Sequence, residues 1–275
     1  LKLPSAAHLP RHKMTIWIQF ERQGEIGIGT IKDETITEYR GELFSDPVPS
    51  GRIFALDEAK LLAPFRPHSI LALWNNFHER AKQEGQTIPA VPLYFMKPVS
   101  SVIGPGDTIY RPKGHRGKVI FEAELGIVIG KRCCNVDAES AASYIFGYTC
   151  VNDVTAVEVL FANKAFQQWS RSKGYDSFCP LGPAIVTDIN VRDLRVQAVL
   201  DGVSCQDYPV SDMIFSPHQI VAALSQIQTL MPGDLIACGT SVGVRTMKPG
   251  SNIDIVIPGI GTLSNVFNDH PASKL

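Results

Sequence analysis

No apolar run in this sequence approaches the roughly 20 residues that a bilayer span requires. The longest, such as LGIVIG and IVAAL, stop far short. Charge of one sign is also scarce: 26 Lys and Arg against 27 Asp and Glu leave a formal net charge of −1. Neither a nucleic-acid footprint nor a membrane-seeking surface follows from that balance, so neither kind of partner is expected. No C-x-x-C pair occurs among the six cysteines, and Cys133 and Cys134 are adjacent, which suits neither zinc nor a disulfide framework. Free, mostly buried thiols in a reducing compartment, and hence a cytoplasmic protein, are expected. The opening LKLPSAAHLPRHK has two prolines, two histidines and no apolar stretch, so it reads as no secretory signal. Met14 reads as a natural start, with residues 1–13 an extension or a remnant of foreign sequence. Internal repeats and low-complexity stretches are absent.

A chain of 275 residues, 44% hydrophobic, can bury one large core, or one core with a smaller attached domain. From Thr15 to Tyr39, apolar and polar residues exchange every second position, which predicts a small antiparallel meander. FALDEAKLLAPF (54–65) predicts a short helix ended by Pro64, followed by a linker. The rest reads as short strands, among them SILALW, LYFMKP, KVIFEAELGIVIG and AASYIFGYTCVND. Asp201-Gly202 between two apolar runs predicts a two-residue hairpin. HQIVAALSQIQTL (218–230) has apolar residues at helical spacing. Many strands and few helices, without a strand-helix-strand rhythm, predict an α+β, mainly β fold. Residues 14–67 form the expected N-terminal β subdomain and linker, and 68–275 the main domain.

Within FEAELGIVIG (121–130), an otherwise apolar strand, stand Glu122 and Glu124. Residues two apart on a strand project to one face, so the two carboxylates converge. Unpaired, they repel each other and resist burial. A cation between them removes that cost, and hard carboxylate oxygens favour Mg²⁺, Mn²⁺ or Ca²⁺ over zinc. The alternative is an edge strand with one solvated face, where Glu-x-Glu carries no meaning. A third acid, Asp153, ends the strand GYTCVND.

FMKPVSSVIG, EAELGIVIG, GYTCVNDVT, RSKGYDSFCPLGP and GDLIACGTSVGV, in this order, resemble the fumarylacetoacetate hydrolase (FAH) family over residues 68–267. The resemblance implies a mixed β-roll, a homodimer, and one Mg²⁺ or Mn²⁺ per subunit held by Glu122, Glu124 and Asp153. It makes Lys173 an active-site residue that adds positive charge beside an enolate or moves a proton, with a pKa lowered near the cation. Lys97, in the K-P position, lies near the substrate carboxylate; its alternative is an ordinary strand-end lysine. Thr240, in a Gly-flanked turn, offers an N–H and a hydroxyl to an oxyanion or carboxylate. Arg171 pairs with a distal carboxylate or is simply a surface residue.

Relatives that activate water use a His followed three residues later by a Glu, after an N-Y-x-x-H pattern. Here His78 is one residue short of that spacing from Asn75, and the acids at hand are Glu79, the adjacent residue, and Glu84. Where acylpyruvate- and oxaloacetate-acting relatives show N-D-x-T-A-R, this chain has Val157 in place of the Arg. LALWNNFH and YDSFCPLGP are more similar to the branch that isomerises and decarboxylates homoprotocatechuate breakdown products. The function implied is metal-dependent hydrolysis of a C–C bond in a small 2-oxo or β-diketo acid through a metal-bound enolate. An isomerase or decarboxylase of an unsaturated 2-oxo-diacid is the second reading, and a non-catalytic binding protein the third.

Overall fold

The computed structural model describes residues 14–271, so the extension read over 1–13 lies outside the described residues. The expected meander is present as Ile16–Arg22, Glu25–Lys32, Thr35–Arg40 and Val48–Ala55. Its first two turns place Gln23, Gly24, Asp33 and Glu34 at positive φ, the conformation that tight hairpins require. Ile16–Arg22 also pairs with Cys179–Val186, so the meander runs directly into the central sheet. From there the twelve-stranded sheet continues through Ile145–Asn152, Ala123–Ile129, Leu235–Ala237 and Ile70–Trp74 to Leu93–Lys97. Leu235–Ala237 lies parallel to Ile70–Trp74 in an otherwise largely antiparallel arrangement, which makes the sheet mixed. A second sheet has five strands: Val203–Pro209, Arg195–Leu200, Asn252–Ile257, Gly261–Asp269 and Thr108–Arg111. The fold is α+β and mainly β, as the sequence predicts.

The strand Ala123–Ile129 is buried along its whole length, so it is no edge strand. Its alternation decides what each face does. Phe121, Ala123, Leu125, Ile127 and Ile129 join Ile255, Leu263 and Phe267 of the second sheet in the main core. Burying one such large side chain stabilises the fold by roughly 1.5–3 kcal/mol. The alternate residues face away from that core; Val128 belongs to a separate cluster with Ile70, Val151 and Leu235. Glu124 shares this second face, because it stands four residues before Val128.

Two helix expectations need correction. Over 54–65 only a 3₁₀ turn forms, at Leu56–Glu58, and Lys60–Leu61 pairs as a strand with Glu21 and Phe20. The apolar residues that suggested a helix instead close the cluster around Ile18 and Phe20, where Phe54 meets Phe20 edge-on at 5.2 Å. Burial against a neighbouring strand outweighed local helix propensity. The helix over 218–230 is shorter than predicted and runs Pro217–Ser225, started by Ser216 in a capping box with Gln219. It ends early because Leu230 exchanges two backbone hydrogen bonds with Cys133, which draws the chain out of helical register. The hairpin at Asp201-Gly202 forms as predicted, with both residues at positive φ. Among the described residues no helix is long and apolar enough to cross a membrane.

Candidate metal centre

Two strand ends build the site. Glu122 immediately precedes Ala123–Ile129, Glu124 lies inside that strand, and Asp153 follows Ile145–Asn152. The two strands pair with Ala123 opposite Asn152, and the Asp153 N–H donates to the Glu122 carbonyl at 2.9 Å. The Asn152 side chain accepts from the Glu122 N–H at 3.1 Å. This ladder brings one carboxylate oxygen from each of Glu122, Glu124 and Asp153 within 4.8 Å of one another. Exposures of 6%, 1% and 1% exclude a solvated face as the reason for the acids.

The second sheet clamps the segment between the acids. Gln206 accepts the Ala123 N–H at 3.0 Å, and the Tyr208 hydroxyl donates to the Ala123 carbonyl. Gln206 also donates to the Thr240 hydroxyl at 2.9 Å and the Ser241 carbonyl at 3.1 Å, which ties the Gly-Thr turn to the same point. In that turn Gly239 takes φ +85°, and its N–H reaches Glu124 Oε2 at 2.8 Å.

Positive charge already converges here. Lys173 Nζ, at the end of the short helix Trp169–Lys173, donates to Glu122, to Asp153 Oδ2 at 2.6 Å and to Thr155 Oγ1 at 2.6 Å. Lys97 Nζ, at the end of the edge strand, donates to Asp153 Oδ1 at 2.7 Å and to the Lys173 and Phe178 carbonyls. Burial raises the Asp153 pKa, but the Lys173 and Lys97 ammonium groups outweigh it and hold the carboxyl below its usual range. Glu124 goes the other way: burial, then the charges of Asp153 and Glu122, push it well above the usual carboxylate range. Burial disfavours the Lys173 charge, but Asp153, Glu122 and Glu124 overcome it, so its pKa is raised. The lowering expected beside a cation is not seen with the carboxylates alone.

The donor set fits a hard divalent cation: three buried carboxylates, two of which, Glu122 and Asp153, already share a bound ammonium group. Glu122, Glu124 and Asp153 are the residues that would hold it. The Glu124 shift sets a pH dependence. Its folded pKa lies above its unfolded one, so this group stabilises the metal-free fold most at low pH, and that contribution is lost as pH rises through the folded value. Ligation requires the ionised carboxylate. Mn²⁺ affinity is therefore expected to rise with pH from the ordinary carboxylate range up to the raised Glu124 value, with proton release in calorimetry. A flat affinity over that window would contradict the assignment.

The other predicted residues divide. Lys173, Lys97 and Thr240 are brought to the carboxylates, all three buried. Arg171 is exposed and two residues from Lys173 on a helix, a spacing that does not share a face. His78 and Glu79 open the helix His78–Glu84 and are both exposed; the Glu79 N–H donates to Asp212 at 3.1 Å. Neither lines the small cavity, about 20 Å³ or room for one water-sized group, that touches Glu122 and Glu124. Arg80 does, together with Trp74, Phe95, Trp169, Lys173 and Thr240. Arg80 Nη1 lies 3.2 Å from Glu122 Oε1, and Nε 2.9 Å from Glu84 Oε1. Trp169 stacks on Phe95 at 5.6 Å, while Phe166 is exposed.

The signal for Arg80 was in the sequence but in another register. Asn75 donates locally to the Thr87 carbonyl at 3.0 Å, whereas Asn76 reaches distant backbone, donating to the Cys238 carbonyl at 2.9 Å and accepting from the Phe215 N–H at 2.9 Å. Counted from Asn76, with Phe77 in place of Tyr, the N-Y-x-x-H pattern puts Arg80 at the histidine position and Gln83 three residues beyond. Gln206 and Tyr208 left no comparable trace.

Comparison with known proteins bears on the family and the fold. Residues 69–268 match the family model described as fumarylacetoacetate (FAA) hydrolase C-terminal, and residues 17–64 match the Rv2993c-like N-terminal model. Protein Rv2993c of Mycobacterium tuberculosis is 39% identical over 241 residues, 86% of this chain and 89% of that protein. Oxaloacetate tautomerase YisK of Bacillus subtilis is 35% identical over 227 residues, 78% and 74% of the two chains. Among solved structures, 2-hydroxyhepta-2,4-diene-1,7-dioate isomerase from Mycobacterium marinum superposes with a TM-score of 0.85 at 34% identity, over 94% of this chain and 100% of that one. Maleylpyruvate hydrolase from Sphingobium sp. SYK-6, in complex with manganese(II) and pyruvate, gives 0.76 at 25% identity, over 92% and 99%. The relatives named for an activity are enzymes of three kinds, tautomerase, isomerase and hydrolase. With the motifs, the fold and the family model in agreement, this chain belongs to the fumarylacetoacetate hydrolase family.

Proposed function

We propose that the chain catalyses divalent-metal-dependent proton transfer on a 2-oxo acid, a tautomerisation or isomerisation that passes through an enolate. The observation that carries this reading is Arg80 at the cavity, where hydrolysis would need a base for water. A guanidinium is always protonated and cannot take a proton. His78, the sequence's candidate base, lies exposed on the neighbouring turn.

Proton transfer needs only groups that face the cavity. A cation held by Glu122, Glu124 and Asp153 supplies Lewis acidity toward the substrate carbonyl. Lys173 is the mobile proton carrier. Its ammonium is held at the cradle by Glu122, Asp153 and Thr155, where it would stand beside the reacting carbon of a substrate. Thr240 orients an oxygen of the substrate through its hydroxyl, which Gln206 holds in place. Trp74, Phe95 and Trp169 shield the carbon chain from water.

Hydrolysis of a diketo acid is the second reading, favoured by the likeness to maleylpyruvate hydrolase. The test is proton NMR of 2-oxo acids in D₂O with Mg²⁺- or Mn²⁺-loaded protein. Deuterium is expected to enter the carbon next to the keto group, only with metal, faster than any acid fragment or carbon dioxide appears. Cleavage without prior deuterium entry would shift the assignment to hydrolysis.

A further inference from the structure

Gln206 and Tyr208 stand two residues apart on the strand Val203–Pro209, so both side chains leave the same face of the second sheet. They meet Ala123 where its strand has run out of neighbours on that side. Leu235–Ala237 pairs with Ala123–Ile129 only across residues 126–128. Beyond that stretch the Ala123 N–H goes to Gln206 and the Ala123 carbonyl to Tyr208. A backbone N–H can only donate, which fixes the way the Gln206 carboxamide lies: its oxygen faces Ala123 and its nitrogen faces away. That nitrogen has only hydrogens to give. Around it stand the Thr240 hydroxyl at 2.9 Å, the Ser241 carbonyl at 3.1 Å and the Val242 carbonyl at 3.2 Å. Carbonyls cannot donate, so both ends of the amide require the same orientation. Gln206 is buried, and water does not compete for these bonds.

Thr240 is polarised as a result. Its oxygen accepts from Gln206, which leaves its own hydrogen to be donated. The Tyr208 hydroxyl has its one hydrogen on the Ala123 carbonyl, and its oxygen, 3.4 Å from Thr240 Oγ1, is long for an O–H···O bond. Thr240 lines the small cavity beside Glu122, Glu124 and Lys173, which has room for about one water-sized group, the size of a single substrate oxygen. We propose that Gln206 is a positioning residue that presets the Thr240 hydroxyl as a donor, so that the site receives a negatively charged substrate oxygen at that point. The inference rests on the enolate reading and adds to it how the anion is recognised. Gln206 acts through Thr240 and does not touch the substrate. A side chain without the amide would leave the Ser241 and Val242 carbonyls without this donor, and the Thr240 hydrogen would turn to them. A donor already aimed at an oxygen that gains charge needs no reorganisation during the reaction.

A cycle of variants tests this, with pyruvate dissociation constants measured by calorimetry on the full chain at saturating Mn²⁺. Thr240→Val removes the hydroxyl at nearly constant shape. In the wild-type background it is expected to weaken pyruvate by roughly tenfold or more, the scale of a hydrogen bond to a charged group. In Gln206→Met the same Thr240→Val change is expected to cost less than about threefold, because the hydroxyl there is no longer preset. Mn²⁺ stoichiometry is expected to stay at the wild-type value in every variant, which separates this role from the clamp on the cradle. If Gln206→Met does not fold, Gln206→Asn carries the same comparison, since its shorter side chain cannot reach Ala123 and Thr240 together. An undiminished cost of Thr240→Val in the Gln206 variants, or loss of Mn²⁺ from them, would overturn the assignment and leave Gln206 as a strut for Ala123. A negligible cost of Thr240→Val in the wild-type background would overturn it as well, with the enolate reading still standing on deuterium entry. Failure of the wild-type protein to bind pyruvate at all would overturn the enolate reading along with it.

Discussion

Asp153→Ala is expected to lose bound metal and to destabilise the metal-free protein by about 3–5 kcal/mol, the cost of stranding a buried charge. The reason lies in the two lysines rather than in the acid. Lys97 and Lys173 have side-chain exposures of 0% and 3%, and Asp153 accepts a hydrogen bond from each. Removing the shared carboxylate leaves Lys97 with only backbone carbonyls and Lys173 with Glu122 and Thr155. Because the Asp153 pKa is depressed, the sign of its linkage is clear: its stabilisation is present above the unfolded carboxylate pKa and is lost as pH falls through the folded value. Urea denaturation at neutral pH with chelator present measures the effect. A variant within about 1 kcal/mol of wild type, as for a surface pair, would show that the lysines find other partners.

Lys173→Met is expected to reduce the rate of deuterium entry by roughly 10²–10⁴-fold, the range for removal of a positioned proton carrier. Methionine fills much of the same buried space, so the loss is chemical rather than steric. The substitution also removes the ammonium bonded to Glu122 and Asp153, a positive charge that competes with a cation for the same carboxylates. Metal binding is then expected to persist or tighten while turnover collapses. That division separates a proton carrier from a residue that merely shapes the cradle. Turnover within tenfold of wild type would move the proton-transfer role to another group.

Much of the site was legible because it depends on short-range pattern. Glu122 and Glu124 converge by strand periodicity alone, and the resemblance implied Asp153 as the third acid, which a strand pairing brings beside them. Lys97, Lys173 and Thr240 followed from motifs that each lie within a few residues. The rest depends on register or distance. His78 was favoured because counting began at Asn75; both asparagines are buried, and only the hydrogen bonds of Asn76 to the distant Cys238 and Phe215 backbones mark it as the alternative starting point. Gln206 and Tyr208 stand about eighty residues from Ala123 on another sheet, and a neutral amide and a phenol in an alternating strand give no local signal. The fold shows the same limit. The meander was readable from its alternation, whereas LDEAKLLA has helical spacing yet spends its apolar residues on Phe20 and Ile18.

Every role assigned above depends on the three carboxylates acting as a divalent-cation cradle, and Mn²⁺ titration of the wild-type chain against Glu124→Gln tests that most directly. Glutamine matches the shape of Glu124 without the charge that burial and the neighbouring acids disfavour, and its amide oxygen can still accept from the Gly239 N–H. Fold and stability are therefore expected to be retained. Calorimetry or electron paramagnetic resonance is expected to show one Mn²⁺ per wild-type chain and none at the same concentrations in the variant. Stoichiometric Mn²⁺ in folded Glu124→Gln, or none in the wild-type protein, would contradict the cradle and the chemistry built on it.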